Sequence, residues 1–138
     1  MALAGINYWA VILAAGLGWL VGAGWYRALA RPWMIALGKT RSELLAPSGR
    51  ISFAPFVIAF AAQLAMAWVL AGIVGHLGPV TILNGVVSAL FAWLGFVITT
   101  LAVSHGFARH RAMLTVIDGG HWLAVLLIQG AVIGLCGR

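Results

Sequence analysis

Asp118 and His121 are the residues of this sequence best placed to do chemistry. Asp118 is the only acidic residue inside a long apolar stretch, and His121 follows three residues later. A helix therefore places both side chains on nearly the same face. Ionisable residues inside a membrane are typical of proton and cation sites. The favoured alternative is a structural role, in which Asp118 is hydrogen-bonded to His121 or to threonines, or reaches toward Arg109 or Arg111.

Three further polar residues are expected at comparable depths in neighbouring helices. An ionised carboxylate in a membrane costs about 2.5 kcal/mol or more. We therefore expect Asp118 to be neutral and hydrogen-bonded for much of the time. The predicted proton or polar site consists of Asp118, His121, Gln63, Thr99 and Thr100.

Other chemistry has little support in the sequence. It contains no HExxH motif, no glycine-rich phosphate loop and no paired carboxylates. Cys136 is the only cysteine, which excludes an intramolecular disulfide and a thiolate metal cluster. Only His121 lies clearly inside an apolar stretch, so a haem held by two histidines lacks its second ligand. We predict no catalytic site, no metal and no cofactor, and hence no enzyme.

Four long apolar stretches must position these residues. A run of 18 or more apolar residues with almost no charge is typical of a membrane-spanning helix. The sequence predicts an all-α membrane protein, with residues 1–138 as a single membrane domain built as a four-helix transmembrane bundle. The predicted spans are Ile6–Tyr26, Phe53–Gly75, Val80–Val103 and Ala112–Leu135.

The connection between the first two spans is the longest, from about Arg27 to Ser52. Pro32 favours the start of a short helix and Gly38 favours its end. Residues 40–43 match a capping box. These features predict a partly helical segment at the membrane interface. The sequence Trp25-Tyr26-Arg27 before it is typical of an interface anchor.

The basic residues are distributed unevenly between the two sides. Seven lie in or beside the first and third connections, and only Arg138 lies on the other side. This bias predicts a protein of the plasma membrane with both termini outside the cytoplasm. It also argues against nucleic acid as a partner. The cluster could bind anionic headgroups of membrane lipids, although topology alone explains it. The candidate headgroup residues are Arg27, Arg31, Lys39 and Arg41.

Small residues recur at helical spacing and predict close helix contacts. The third span carries a small and polar seam at three- and four-residue steps, which we expect to be buried. Its members are Thr81, Asn84, Ser88, Ala92, Gly95, Thr99 and Ala102. The predicted packing residues of the whole chain are Ala14, Gly18, Gly22, Ser88, Gly95, Gly130 and Gly134.

Three functional hypotheses follow, in order of support. The first is a small helical bundle without catalysis that forms a homo-oligomer or joins a larger membrane complex. The second is a proton- or cation-coupled transporter or channel for small solutes that uses Asp118 and His121. It resembles small multidrug exporters in size, but those have a membrane carboxylate in the first helix, and this first helix has none. The third is a membrane enzyme, for which no catalytic set is present. The sequence identifies neither a substrate nor an oligomer number.

Short motifs along nearly the whole chain resemble the DUF1761 family of small bacterial membrane proteins. They are Asn7-Tyr8, Gly22-Ala23-Gly24-Trp25-Tyr26, Trp33-Met34 with Gly38, and Trp93-Leu94-Gly95-Phe96 with Thr99-Thr100. The resemblance implies four spans, a bacterial inner membrane and no known activity. The family usually has asparagine where Asp118 stands, followed by a glycine at Gly120 and an aromatic residue near His121. This departure argues against Asp118 as a transport residue of the whole family.

Overall fold

The computed structural model describes residues 5–45 and 47–137, and within them the chain is helical. Four helical segments are long and apolar enough to cross a membrane, which confirms the predicted fold class. The predicted basic C-terminal residue, Arg138, lies outside the described residues. The helices are α1 (Tyr8–Ala28), α2 (Ala30–Leu37), α3 (Arg41–Leu44), α4 (Ala54–Leu77), α5 (Ile82–Ala92), α6 (Ile98–Phe107) and α7 (Ala112–Cys136).

The connection after α1 forms the two short helices α2 and α3. Gly38 ends α2 in the left-handed conformation, with φ of 74°, which favours glycine. The predicted capping box opens α3, where the Glu43 carboxylate accepts hydrogen bonds from the backbone N–H and the hydroxyl of Thr40. These bonds, the backbone one first, hold the pKa of Glu43 below its usual value.

The last span, α7, lies at the centre of the fold. It packs against α1, α2, α4, α5 and α6. Within the best 18-residue window of each span, 44% of α7 is buried, against 33% of α1 and of α4. Its side chains Leu126 and Ile133 join Ala14, Ala67 and Val74 in the main apolar core. A central helix with protein on several sides needs small residues where backbones meet.

Two helix contacts depend on such small residues. Ala14, Gly18 and Gly22 are buried on α1, where it meets α4 and α7. The crossing of α5 and α7 is the closest. A Cβ atom added to Gly130 would meet the backbone oxygen of Gly85, and one added to Gly134 would meet that of Thr81.

The third span is interrupted by a π-helical turn, Trp93–Val97, between α5 and α6. Such a turn holds one more residue than an α turn. The side chains beyond it are therefore rotated about 100° from the positions that a continuous α-helix would give them. Before the turn, Ser88 is buried, as is Ala89 beside it. Beyond the turn, Ile98 and His105 contact α7.

The predicted seam is therefore wrong beyond Ala92. Its first member, Thr81, is also exposed, because it lies at the end of the span just before α5. Gly95, Thr99 and Ala102 are exposed, and a Cβ atom added to Gly95 would meet nothing within 4 Å. The prediction assumed one continuous α-helix, and the π turn moves these residues to the outside. Gly95 is the only predicted packing residue that the structure leaves exposed. Ala14, Gly18, Gly22, Ser88, Gly130 and Gly134 are buried.

Candidate functional site

Asp118 is the meeting point of three other segments. The Tyr26 hydroxyl donates a hydrogen bond to its Oδ1 at 2.7 Å, and the Trp33 indole N–H donates to the same oxygen at 3.2 Å. On the other side, His105 Nε2 lies 3.6 Å from Asp118 Oδ2. We call Tyr26, Trp33, His105 and Asp118 the Asp118 cluster. It joins α1, α2 and α6 to α7.

Two further indoles bind the α7 backbone beside Asp118. Trp25 donates its indole N–H to the carbonyl oxygen of Ile117 at 3.0 Å, and Trp93 donates to that of Gly119 at 2.8 Å. Gly120 makes room for Trp25, because a Cβ atom there would lie 2.8 Å from its ring. Buried indoles usually need such an acceptor. Their positions fix α1 and the π turn around one turn of α7.

The predicted pair of Asp118 and His121 does not form. The Asp118 carboxylate is occupied by the Asp118 cluster, whereas the His121 ring lies against Tyr26 and Trp122, with ring centroids 4.8 and 4.5 Å away. His121 also packs against Gly22, where a Cβ atom would lie 2.7 Å from its Nε2. His121 is 5% exposed, and its Nδ1 has no hydrogen-bond partner among the described residues.

The other predicted members of the polar site lie elsewhere. Thr99 and Thr100 are exposed and donate their hydroxyl hydrogen bonds to carbonyl oxygens of their own helix. Gln63 is buried, and its backbone oxygen accepts a bond from the Gln129 side chain at 3.3 Å. Gln129 is eleven residues beyond Asp118, or about 16 Å along α7. The structure thus places Asp118 in the Asp118 cluster and Gln63 in a pair with Gln129, and it leaves His121, Thr99 and Thr100 outside both.

The contact that the sequence did not predict is that of the Asp118 carboxyl group with the His105 ring. His105 is held from its other ring nitrogen, because Nδ1 lies 2.9 Å from the Thr115 hydroxyl. The predicted alternative partners Arg109 and Arg111 are exposed and form no ion pair in the described chain. The spacing of His105 and Thr115 across the short connection before α7 was the available signal.

A large cleft opens beside the Asp118 cluster, between α1, the short helices and the start of α4. Its volume is about 1010 Å³. Tyr26 and Trp33 form part of its wall, so that Asp118 lies behind the wall and does not line the cleft. His121 and Gln63 do line it. Among the described residues, no group of three His, Cys, Asp or Glu side chains could hold a metal ion.

The exposed surface of the π turn and of α6 carries small residues. Gly95, Thr99, Ala102 and Gly106 follow each other at four-, three- and four-residue steps, and we call them the outer strip. All four are exposed, and a Cβ atom added to either glycine would meet nothing within 4 Å. Only 11% of the best window of this span is buried, the smallest share of the four. Its outward side has no partner within the described chain.

Comparison with known families finds one match. A family model described as "Protein of unknown function (DUF1761)" matches residues 9–134. No curated protein and no solved structure matches the chain. The matched range includes Trp25, Tyr26, Trp33 and Trp93, the aromatic residues that meet at Asp118 and its neighbours.

Proposed function

Because this chain belongs to the DUF1761 family, whose function is unknown, we propose a function from its geometry. In this proposal the protein is a multi-pass membrane component without enzymatic activity that self-associates through its third span. The observation that carries the proposal is the exposure of this span. The absence of catalysis is supported by the acidic residues, since the sequence has only Glu43 and Asp118. Both carboxylates accept hydrogen bonds within the chain.

The outer strip is suited to a helix of a second copy. In lipid, helices associate through close packing rather than hydrophobicity, and small residues at four-residue spacing let two backbones approach. Most oligomers are made of identical chains whose two-fold interfaces use the same surface twice. The outer strip can meet itself in this way. A larger membrane complex is the competing possibility.

Bulk on the outer strip should abolish self-association without unfolding the chain. Gly95→Leu adds a large side chain where the chain itself offers open space, so only an external partner is displaced. We expect the resonance energy transfer between donor-labelled and acceptor-labelled copies in vesicles to fall to the level seen when the two are kept in separate vesicles. The midpoint of thermal unfolding should stay that of the parent. Gly24→Leu, the matched change at another open glycine, should keep the parental transfer. A parent that shows no transfer, or a Gly95→Leu variant that keeps it, would refute self-association.

The bias of basic residues supports an orientation with both termini outside the cytoplasm, in the plasma membrane. Single cysteines at Ser48 and Leu77, in a Cys136→Ala background, test it. Leu77 is 71% exposed. It is a better position for the cysteine than Gly78, because the φ of 145° at Gly78 favours glycine. An impermeant thiol reagent on intact cells should label position 77 and spare position 48. Labelling of position 48 alone would reverse the orientation.

Proton- or cation-coupled transport is the second candidate function. It is favoured by the cleft, which reaches His121 and its unpartnered Nδ1. It is weakened by Asp118, whose carboxylate is bonded behind the wall of the cleft. A transport pathway through both residues would require Tyr26 or Trp33 to move aside. We therefore rank transport below self-association.

A further inference from the structure

We propose that the cleft binds one anionic phospholipid. Its phosphate would lie between Arg27 and Arg41, and an acyl chain would lie along the apolar wall formed by α1 and α4. This site is distinct from the outer strip, so it does not depend on self-association. It is more specific than an attraction of the basic connection to a charged membrane surface.

The size and lining of the cleft suit an acyl chain. Its volume of about 1010 Å³ is at the upper end of ordinary ligand sites, which span about 300–1,000 Å³. Ala23 of α1 and Phe56 and Ala59 of α4 contribute apolar wall. From Arg27 to Trp19 the wall follows eight residues of α1, or about 12 Å. The cleft is therefore long as well as wide.

The charges at the cleft select an anion. Arg27 and Arg41 both line the cleft and are exposed. Neither forms an ion pair with a carboxylate in the part of the chain that the structure describes. Glu43, on the same short helix as Arg41, is bonded to Thr40. The guanidinium group matches the geometry of a phosphate and binds it through two parallel hydrogen bonds.

The wall between the two arginines and the interior is held in place from behind. Tyr26 and Trp33 line the cleft, and both donate hydrogen bonds to Asp118. Their rings also meet edge to face, with centroids 5.6 Å apart. A wall whose side chains are already fixed loses little conformational entropy when a ligand binds. The Asp118 cluster thus shapes the cleft without contacting the lipid.

The test compares two double variants with the same loss of charge. Arg27→Gln with Arg41→Gln removes the arginines of the cleft, whereas Arg31→Gln with Arg50→Gln removes two that do not line it. Binding of dioleoylphosphatidylglycerol is titrated in neutral detergent by native mass spectrometry. We expect the cleft variant to bind about thirtyfold more weakly, the equivalent of about 2 kcal/mol for two basic residues. The control variant should stay within about threefold of the parent, because its charges lie away from the site.

A second variant tests the acyl chain. Ala59→Trp fills the apolar part of the cleft and keeps both arginines, and we expect it to weaken phosphatidylglycerol binding at least tenfold. Thermal unfolding without lipid verifies that each variant is folded. The proposal is overturned if both double variants lose binding equally, or if dioleoylphosphatidylcholine binds as tightly as dioleoylphosphatidylglycerol. It is also overturned if the Ala59→Trp variant binds phosphatidylglycerol like the parent. Binding of glycerol 3-phosphate alone as tightly as the lipid would overturn it as well.

Discussion

Replacing Gly130 by alanine should prevent the chain from forming its native bundle. The added Cβ atom would meet the backbone oxygen and carbon of Gly85 and the Cβ atom of Ala89. A backbone atom cannot rotate away, so α5 and α7 must separate along their whole contact. Overpacking of a filled site costs typically about 1–3 kcal/mol, and we expect the upper end or more here.

Gly24→Ala is the matched control for this change. It is also a helical glycine, but a Cβ atom there would meet nothing within 4 Å. Alanine at an open helical position is favoured over glycine by about 1 kcal/mol. Thermal unfolding in detergent should show a parental or higher midpoint for Gly24→Ala and a strongly lowered midpoint, or no folded protein, for Gly130→Ala. Equal midpoints would show that the α5–α7 crossing is not as close as the structure has it.

Asp118→Leu should be the second most damaging substitution. It removes the acceptor of the Tyr26 hydroxyl and of the Trp33 indole N–H, and the partner of His105. A buried donor left without an acceptor costs about 1–3 kcal/mol. We expect a loss of about 3 kcal/mol in the free energy of unfolding, since Tyr26 and Trp33 are both left without their acceptor. Asp118→Asn keeps one carbonyl oxygen for both donors and should unfold like the parent between pH 5 and 8.

The asparagine variant also separates the structural and transport roles of Asp118. It keeps the shape of the side chain but cannot take up or release a proton. If Asp118 is structural, the variant should match the parent in stability and in every flux measured in proteoliposomes. Loss of a pH-driven flux from a folded Asp118→Asn variant would favour transport. If Asp118→Asn fails to fold, the charge itself is required, and the pairing with His105 outweighs the two neutral donors.

The fold was largely predictable because each span is a long apolar run with almost no charged residues. Each predicted span overlaps an observed helix that starts and ends within a few residues of it, as in the match of Ala112–Leu135 to Ala112–Cys136. The seam of the third span was not predictable beyond Ala92. A π turn has no composition of its own that distinguishes Trp93–Val97 from an α-helix. Helical periodicity alone therefore assigned Thr99 to the buried face of the span, whereas Thr99 is exposed.

The candidate site was predicted only in part. Asp118 was singled out correctly as an unusual residue, since a lone acid in an apolar run must find a partner. Its actual partners are distant in sequence, since Tyr26 is 92 positions away and Trp33 is 85 positions away. The sequence favoured Tyr26 as part of an interface anchor and assigned Trp33 no part in the polar site. Depth in the membrane could be estimated along each helix, but the azimuth that turns α1 and α2 toward α7 could not.

The π turn gives the third span one place where a change in length is absorbed. Within an α-helix, deleting one residue rotates everything beyond it by about 100°. The π turn already holds one residue more than an α turn, so deletion of Leu94 would convert it into an α turn and leave Ile98 facing α7 and Thr99 facing outward. A difference of one codon at this position therefore changes the shape of the turn and preserves both the surface of α6 that is packed on α7 and the surface offered to neighbours.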